Sequence, residues 1–140
     1  GVYGNASPTI IYKNMAKTVL VVEDDKYMRE VLVAKLGKEG FTVLEAIDGS
    51  TGLDITAKKK PDLVVLDIIL PIMNGFDYLE AKAKVVPIAT IPVIILSNLG
   101  QQSDIQKAKD LGAVDYVIKA DSSMQEVIEK VKIHAAQHTE

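Results

Sequence analysis

The chain has 140 residues, 48% hydrophobic and 25% charged, enough for one domain with one apolar core and unlike the composition of a disordered chain. Net charge is −3, and Arg29 is the sole arginine among 16 basic residues, which argues against a nucleic-acid-binding surface. Cysteine is absent, which excludes disulfides and thiolate zinc sites and fits a reducing, cytoplasmic setting; no window approaches the roughly 20 apolar residues of a membrane span.

Residues 1–16 open with GVYGNASPTIIYKN, which has neither the basic start nor the long apolar centre of a secretory signal. They are expected to be an added or disordered tail with the natural start at Met15, ahead of one domain over 17–137 and a short tail at 138–140. Thr18 to Val22 (TVLVV) reads as a strand buried on both faces, ended by Glu23-Asp24-Asp25. From Lys26 to Lys38, Met28, Val31, Leu32 and Leu36 have helical spacing, and Gly37 and Gly40 supply a stop. Phe41 to Ala46 is a half-polar strand suited to a sheet edge, and Asp48 caps a helix to about Lys59 that Pro61 closes.

Leu63 to Leu66 (LVVL) is a second continuous apolar run, ended by Asp67. Asn74-Gly75 opens a helix through about Val85 with Phe76, Leu79 and Ala83 as its buried stripe, and Pro87 and Pro92 bracket a loop. Val93 to Leu96 (VIIL) is a third such run, ended by Ser97. Gln101 to Leu111 is helical, with Gly112 as a left-handed stop. Val114 to Lys119 alternates, with Val114, Tyr116 and Ile118 on the favoured face. Ser122 to Ala136 is the last helix, where Ser122 and Gln125 fit a capping box.

Five strand–helix pairs with short connections require parallel strands and right-handed crossovers, hence a (βα)5 three-layer α/β sandwich. Every strand then ends on the same edge of the sheet, where open α/β sheets place their chemistry. Asp24 and Asp25 end the first strand, Asp67 the third, Ser97 the fourth and Lys119 the fifth. Crowded carboxylates repel one another, and a hard divalent cation with oxygen ligands, Mg²⁺ or Mn²⁺, removes that repulsion. A hydroxyl and an ammonium beside an acidic metal site are the groups that hold a phosphoryl group. Together they imply phosphoryl transfer to a carboxylate.

From about Lys17 to Gln137 the chain resembles a response-regulator receiver domain of two-component signalling. The resemblance is carried by Val-Val-Glu-Asp24-Asp25, by Leu-Asp67-Ile-Ile-Leu-Pro71-Ile-Met-Asn-Gly75, by Leu96-Ser97 and by Tyr116-Val-Ile-Lys119. It implies a flavodoxin-like strand order 2-1-3-4-5. It implies that Asp67 accepts a phosphoryl group from the phosphohistidine of a sensor kinase or phosphotransfer protein. Asp25 is then a direct Mg²⁺ ligand and Asp24 a ligand through water, with Asp67 and the carbonyl of Ile69 completing the protein's share. Ser97 and Lys119 would hold phosphoryl oxygens. Movement of Ser97 would let Tyr116 turn inward and alter the face of the fourth helix, fifth strand and fifth helix, where a downstream protein or a second copy docks. No direct nucleic-acid or membrane contact is implied.

Two positions depart from the family pattern. Ala120 stands where a proline usually follows the lysine, and a cis bond without proline costs about 3 kcal/mol, which leaves the isomer of Lys119–Ala120 open. Ile69 and Leu99, two residues beyond the acceptor and the hydroxyl, are apolar and imply slow self-dephosphorylation. Two other readings compete. An aspartyl-nucleophile phosphohydrolase would need Asp-x-Asp after the first strand, which Glu23-Asp24-Asp25-Lys26 does not supply. A phosphorylation-independent pseudo-receiver would be an interaction module.

Overall fold

The structure, a computed structural model, describes residues 17–137; the tails expected at 1–16 and 138–140 lie outside them. The strands are β1 (Thr18–Val22), β2 (Thr42–Ala46), β3 (Leu63–Leu66), β4 (Val93–Ser97) and β5 (Asp115–Ile118). Between and after them run α1 (Lys26–Lys38), α2 (Gly49–Lys59), α3 (Gly75–Ala83), α4 (Gln102–Asp110) and α5 (Met124–Gln137). All strand pairs are parallel in the order β2-β1-β3-β4-β5, the flavodoxin-like order expected of the sequence. No helix among the described residues is long and apolar enough to cross a membrane.

The continuous apolar runs are explained by helices on both faces of the sheet. Val19, Val21, Val65, Ile94 and Leu96 pack with Leu32 and Leu36 of α1 and with Val127, Ile128 and Val131 of α5. Leu20, Val22, Val64, Leu66 and Ile95 face the other way, onto Tyr78 and Leu79 of α3 and Ala108 of α4. Asp25, Asp48 and Asn74 cap α1, α2 and α3, each accepting from the backbone N–H three residues on. Gly40 and Gly112 hold positive φ after α1 and α4, the stops expected of them.

Local details differ from expectation. The capping box of α5 is Ser123 with Glu126, not Ser122 with Gln125: the Ser123 N–H donates to Glu126 and the Glu126 N–H to Ser123 Oγ. A four-residue helix, Val86–Ala89, occupies the predicted loop, with Pro87 in its first turn, where the missing N–H is no loss. On β5 the buried residue is Val117, under α5, while Val114 is exposed.

On α3 the buried residues are Gly75, Tyr78, Leu79 and Lys82; Phe76 is half-buried against the core and Ala83 is exposed. The Tyr78 hydroxyl lies 2.7 Å from Thr56 Oγ1, which joins α3 to α2 inside the core. Burial raises the pKa of that phenol. Burial also pulls the Lys82 amine down to about 8, and it donates to the Ala89 carbonyl at 2.9 Å.

Candidate functional site

The register of the central strands assembles the site. Val22 pairs with Leu66, so the residues that follow, Glu23 and Asp67, stand side by side at the carboxyl edge of the sheet. The Asp67 N–H still donates to the Val22 carbonyl at 3.1 Å, which anchors the acid to β1. Ser97 pairs with Ile118, which brings Lys119 to the same edge.

The Lys119 ammonium lies 2.7 Å from Asp67 Oδ2 and 2.8 Å from Glu23 Oε1. Burial lowers the affinity of this amine for its proton. The hydrogen bonds and charges of Asp67 and Glu23 outweigh burial, so its pKa lies above the ordinary lysine value. Glu23 is shifted upward chiefly by burial, with the charge of Asp67 acting in the same direction against the Lys119 hydrogen bond. Lys119 reaches this position without a cis bond at Ala120; none occurs among the described residues, and a 3-10 turn, Lys119–Asp121, carries the chain away.

Glu23, Asp24 and Asp67 each offer a carboxylate oxygen, and the three oxygens lie within 4.8 Å of one another. All are hard oxygen donors, and their closeness suits a magnesium ion that keeps several waters. Asp25, expected in that set, instead caps α1, its Oδ1 accepting from the Met28 N–H at 3.0 Å. The Asp25 N–H in turn donates to Glu23 Oε2 at 3.0 Å and steadies the buried acid. Glu23 is the residue that the sequence reading missed. The available signal was position: Glu23 follows TVLVV as Asp67 follows LVVL.

The loop after β3 is tightly built. The Ile69 N–H donates to Asp67 Oδ1 at 3.2 Å, and the Gly75 N–H to the Ile68 carbonyl at 2.8 Å. Between them the Met73 N–H donates to the Pro71 carbonyl at 2.7 Å around Ile72, whose φ is +70°. That is the γ-turn of the rarer hand, strained for any β-branched residue by about 1–3 kcal/mol.

Ser97 is fully buried at the end of β4, on the face of Ile95 and Val93. Its Oγ accepts from the Leu99 N–H at 3.3 Å, while the Tyr116 hydroxyl donates to the Leu99 carbonyl at 2.5 Å. Ser97 and Tyr116 are thus both tied to the backbone of one residue.

The chain matches the model of the response regulator receiver domain over residues 19–132. It is similar to the receiver domain of a Francisella response regulator, at 30% identity and a TM-score of 0.79, over 88% of this chain and 99% of that one. The BeF3-activated N-terminal receiver domain of Klebsiella pneumoniae RstA gives 26% identity and a TM-score of 0.78, over 85% and 98%. The signal receiver domain of a Syntrophus aciditrophicus signal transduction histidine kinase gives 26% and 0.80, over 89% and 96%.

Proposed function

The chain belongs to the response regulator receiver domain family of two-component signalling, and from that premise we propose that it is a phosphorylation-driven switch with Asp67 as the acceptor. The observation that carries this reading is the Lys119 ammonium held 2.7 Å from Asp67 Oδ2 beside the Glu23-Asp24 carboxylates. An Asp67 oxygen attacks the phosphorus of a phosphohistidine on a sensor kinase or phosphotransfer protein. The P–N bond breaks, the imidazole leaves with its electron pair, and an acyl phosphate remains on Asp67. Receiver domains generally bind Mg²⁺ at an acidic pocket. Here Glu23, Asp24, Asp67 and the Ile69 carbonyl would hold it, and it would offset negative charge on the transferring group.

Lys119 then pairs with one phosphoryl oxygen and Ser97 donates to another. To do so Ser97 leaves the Leu99 N–H, and the loop at 98–100 is free to shift. Because Tyr116 is tied to the Leu99 carbonyl, that shift releases its ring, and the α4-β5-α5 face changes for a downstream protein or a second copy. The chain's turnover is confined to its own acyl phosphate. With apolar Ile69 and Leu99 beside the site, no side chain there orients an attacking water, and hydrolysis is slow.

Incubation with acetyl phosphate and Mg²⁺, followed by intact mass, tests this. One phosphate is expected on the wild-type protein and none on Asp67→Asn. An unmodified wild-type chain would instead favour a phosphorylation-independent module, and sustained release of free phosphate a hydrolase. In a chase of the labelled protein, Ile69→Asn is expected to shorten the lifetime; equal lifetimes would remove Ile69 from the hydrolysis account.

A further inference from the structure

We propose that Ile72 is a contact residue for the protein that delivers the phosphoryl group, and that the chain tolerates a strained backbone there to keep an aliphatic side chain at the mouth of the site. The inference rests on the reading of Asp67 as acceptor.

Two unfavourable features coincide at Ile72. Its φ of +70° is one that β-branched residues rarely adopt and glycine adopts freely. The residue is 83% exposed, so packing within the monomer offsets neither the strain nor the exposure. A sequence selected only to close this turn would place Gly or Asn here.

Location supplies the reason. Ile72 sits in the loop that starts at Asp67 and is pinned to it through the Ile69 N–H. Asp67 itself is only 5% exposed. A small phosphodonor can enter such a recess, but a histidine on another protein reaches it only if that protein's own surface settles on the rim. Among the charged residues of the rim (Asp24, Asp25 and Lys26) stand exposed apolar side chains: Tyr27 after β1, Ile47 after β2, and Ile69 and Ile72 after β3. The β2 and β3 loops also touch one another, since a Cβ on Gly49 would lie 1.9 Å from the Met73 carbonyl oxygen. The partner of matching chemistry is a donor protein whose phosphohistidine is flanked by aliphatic side chains, with Ile72 as a buried anchor in the complex.

The test compares wild type, Ile72→Gly and Ile72→Val in three measurements. Strain relief is expected to raise the Tm of Ile72→Gly by about 2–4 °C. Labelling of Asp67 by phosphoramidate and Mg²⁺ should be equal in all three. With the ³²P-labelled autophosphorylated histidine kinases of the source genome as donors, the fastest should lose about tenfold in kcat/KM on Ile72→Gly, mostly through KM, and regain it on Ile72→Val. Equal transfer to wild type and Ile72→Gly overturns the contact, and an unchanged or lower Tm overturns the strain. Labelling by phosphoramidate but by none of the kinases also overturns the inference while leaving the acceptor reading intact. No phosphoramidate label on Asp67 removes that reading instead.

Discussion

Replacing Lys119 by Ala is expected to lower the unfolding free energy by about 3 kcal/mol at pH 8, the scale for stripping one partner from a buried ion pair. The side chains of Glu23 and Asp67 are nearly inaccessible, and the ammonium between them is the cation that both contact. Without it, two carboxylates face each other with little water. The deficit should shrink as the pH falls from 8 to 5. Burial already raises the folded-state pKa of Glu23 above its unfolded value, and losing Lys119 removes the hydrogen bond that opposes the rise. An acid with a raised folded pKa takes up its proton first in the folded state. Its contribution to stability is therefore largest below the unfolded value and is lost as pH rises through the folded one. The ammonium does not titrate in this window, because its own pKa lies above 10.5. Urea unfolding of both proteins at the two pH values measures the difference; an equal deficit at pH 5 and pH 8 would contradict the assignment to an unpaired Glu23.

Gly75→Ala is expected to lower the unfolding free energy by about 2–3 kcal/mol. In the first turn of a helix such a change ordinarily stabilises by about 0.5–1 kcal/mol, through unfolded-state entropy. Here the new Cβ would lie 2.5 Å from the Asp67 carbonyl oxygen and 2.7 Å from the Ile68 Cα, both backbone atoms that no rotamer change can move. Steric overlap outweighs entropy, and relief requires moving the segment that holds Asp67. Phosphoramidate labelling should therefore fall by more than the unfolded fraction explains. Gly37→Ala in α1 is the control, since its Cβ meets nothing within 4 Å and the change should stabilise. A Gly75→Ala protein as stable as wild type would show that the loop yields more easily than its hydrogen bonds suggest.

Much of this architecture was legible because three central strands are uninterrupted β-branched and aliphatic runs, each closed by a polar residue. That rule places Asp67 and Ser97 at the carboxyl edge of the sheet, and Lys119 joins them by following the alternating edge strand β5. Residue type points to the two adjacent aspartates as the acidic pair, whereas distance from the strand end brings Glu23 and Asp24 together with Asp67. Counting from Val22 gives Glu23 beside Asp67, and Asp25 then stands where a helix cap belongs, three residues before Met28.

The stripe expected of α3 holds at buried Leu79 and half-buried Phe76 and departs at Ala83, for another reason. Phe76-Leu79-Ala83 and Tyr78-Leu79-Lys82 both have helical spacing, and no local pattern announces that a lysine will be buried with its amine on the Ala89 carbonyl. Adjacent Ser122 and Ser123 offered two capping registers, and the structure uses the one whose partner is a carboxylate. Ile72 could not be read as strained at all, because the γ-turn depends on where the Ile68 carbonyl and Gly75 meet.

Leu99 donates its N–H to Ser97 and accepts at its carbonyl from Tyr116, so in the proposed switch two ordinary hydrogen bonds hold the unphosphorylated arrangement. At about 1 kcal/mol each, breaking both costs about 2 kcal/mol, a handicap that the phosphorylated state has to overcome. A switch held so lightly is expected to leak, and the background output of an Asp67→Asn strain would gauge how tightly that one peptide unit is gripped.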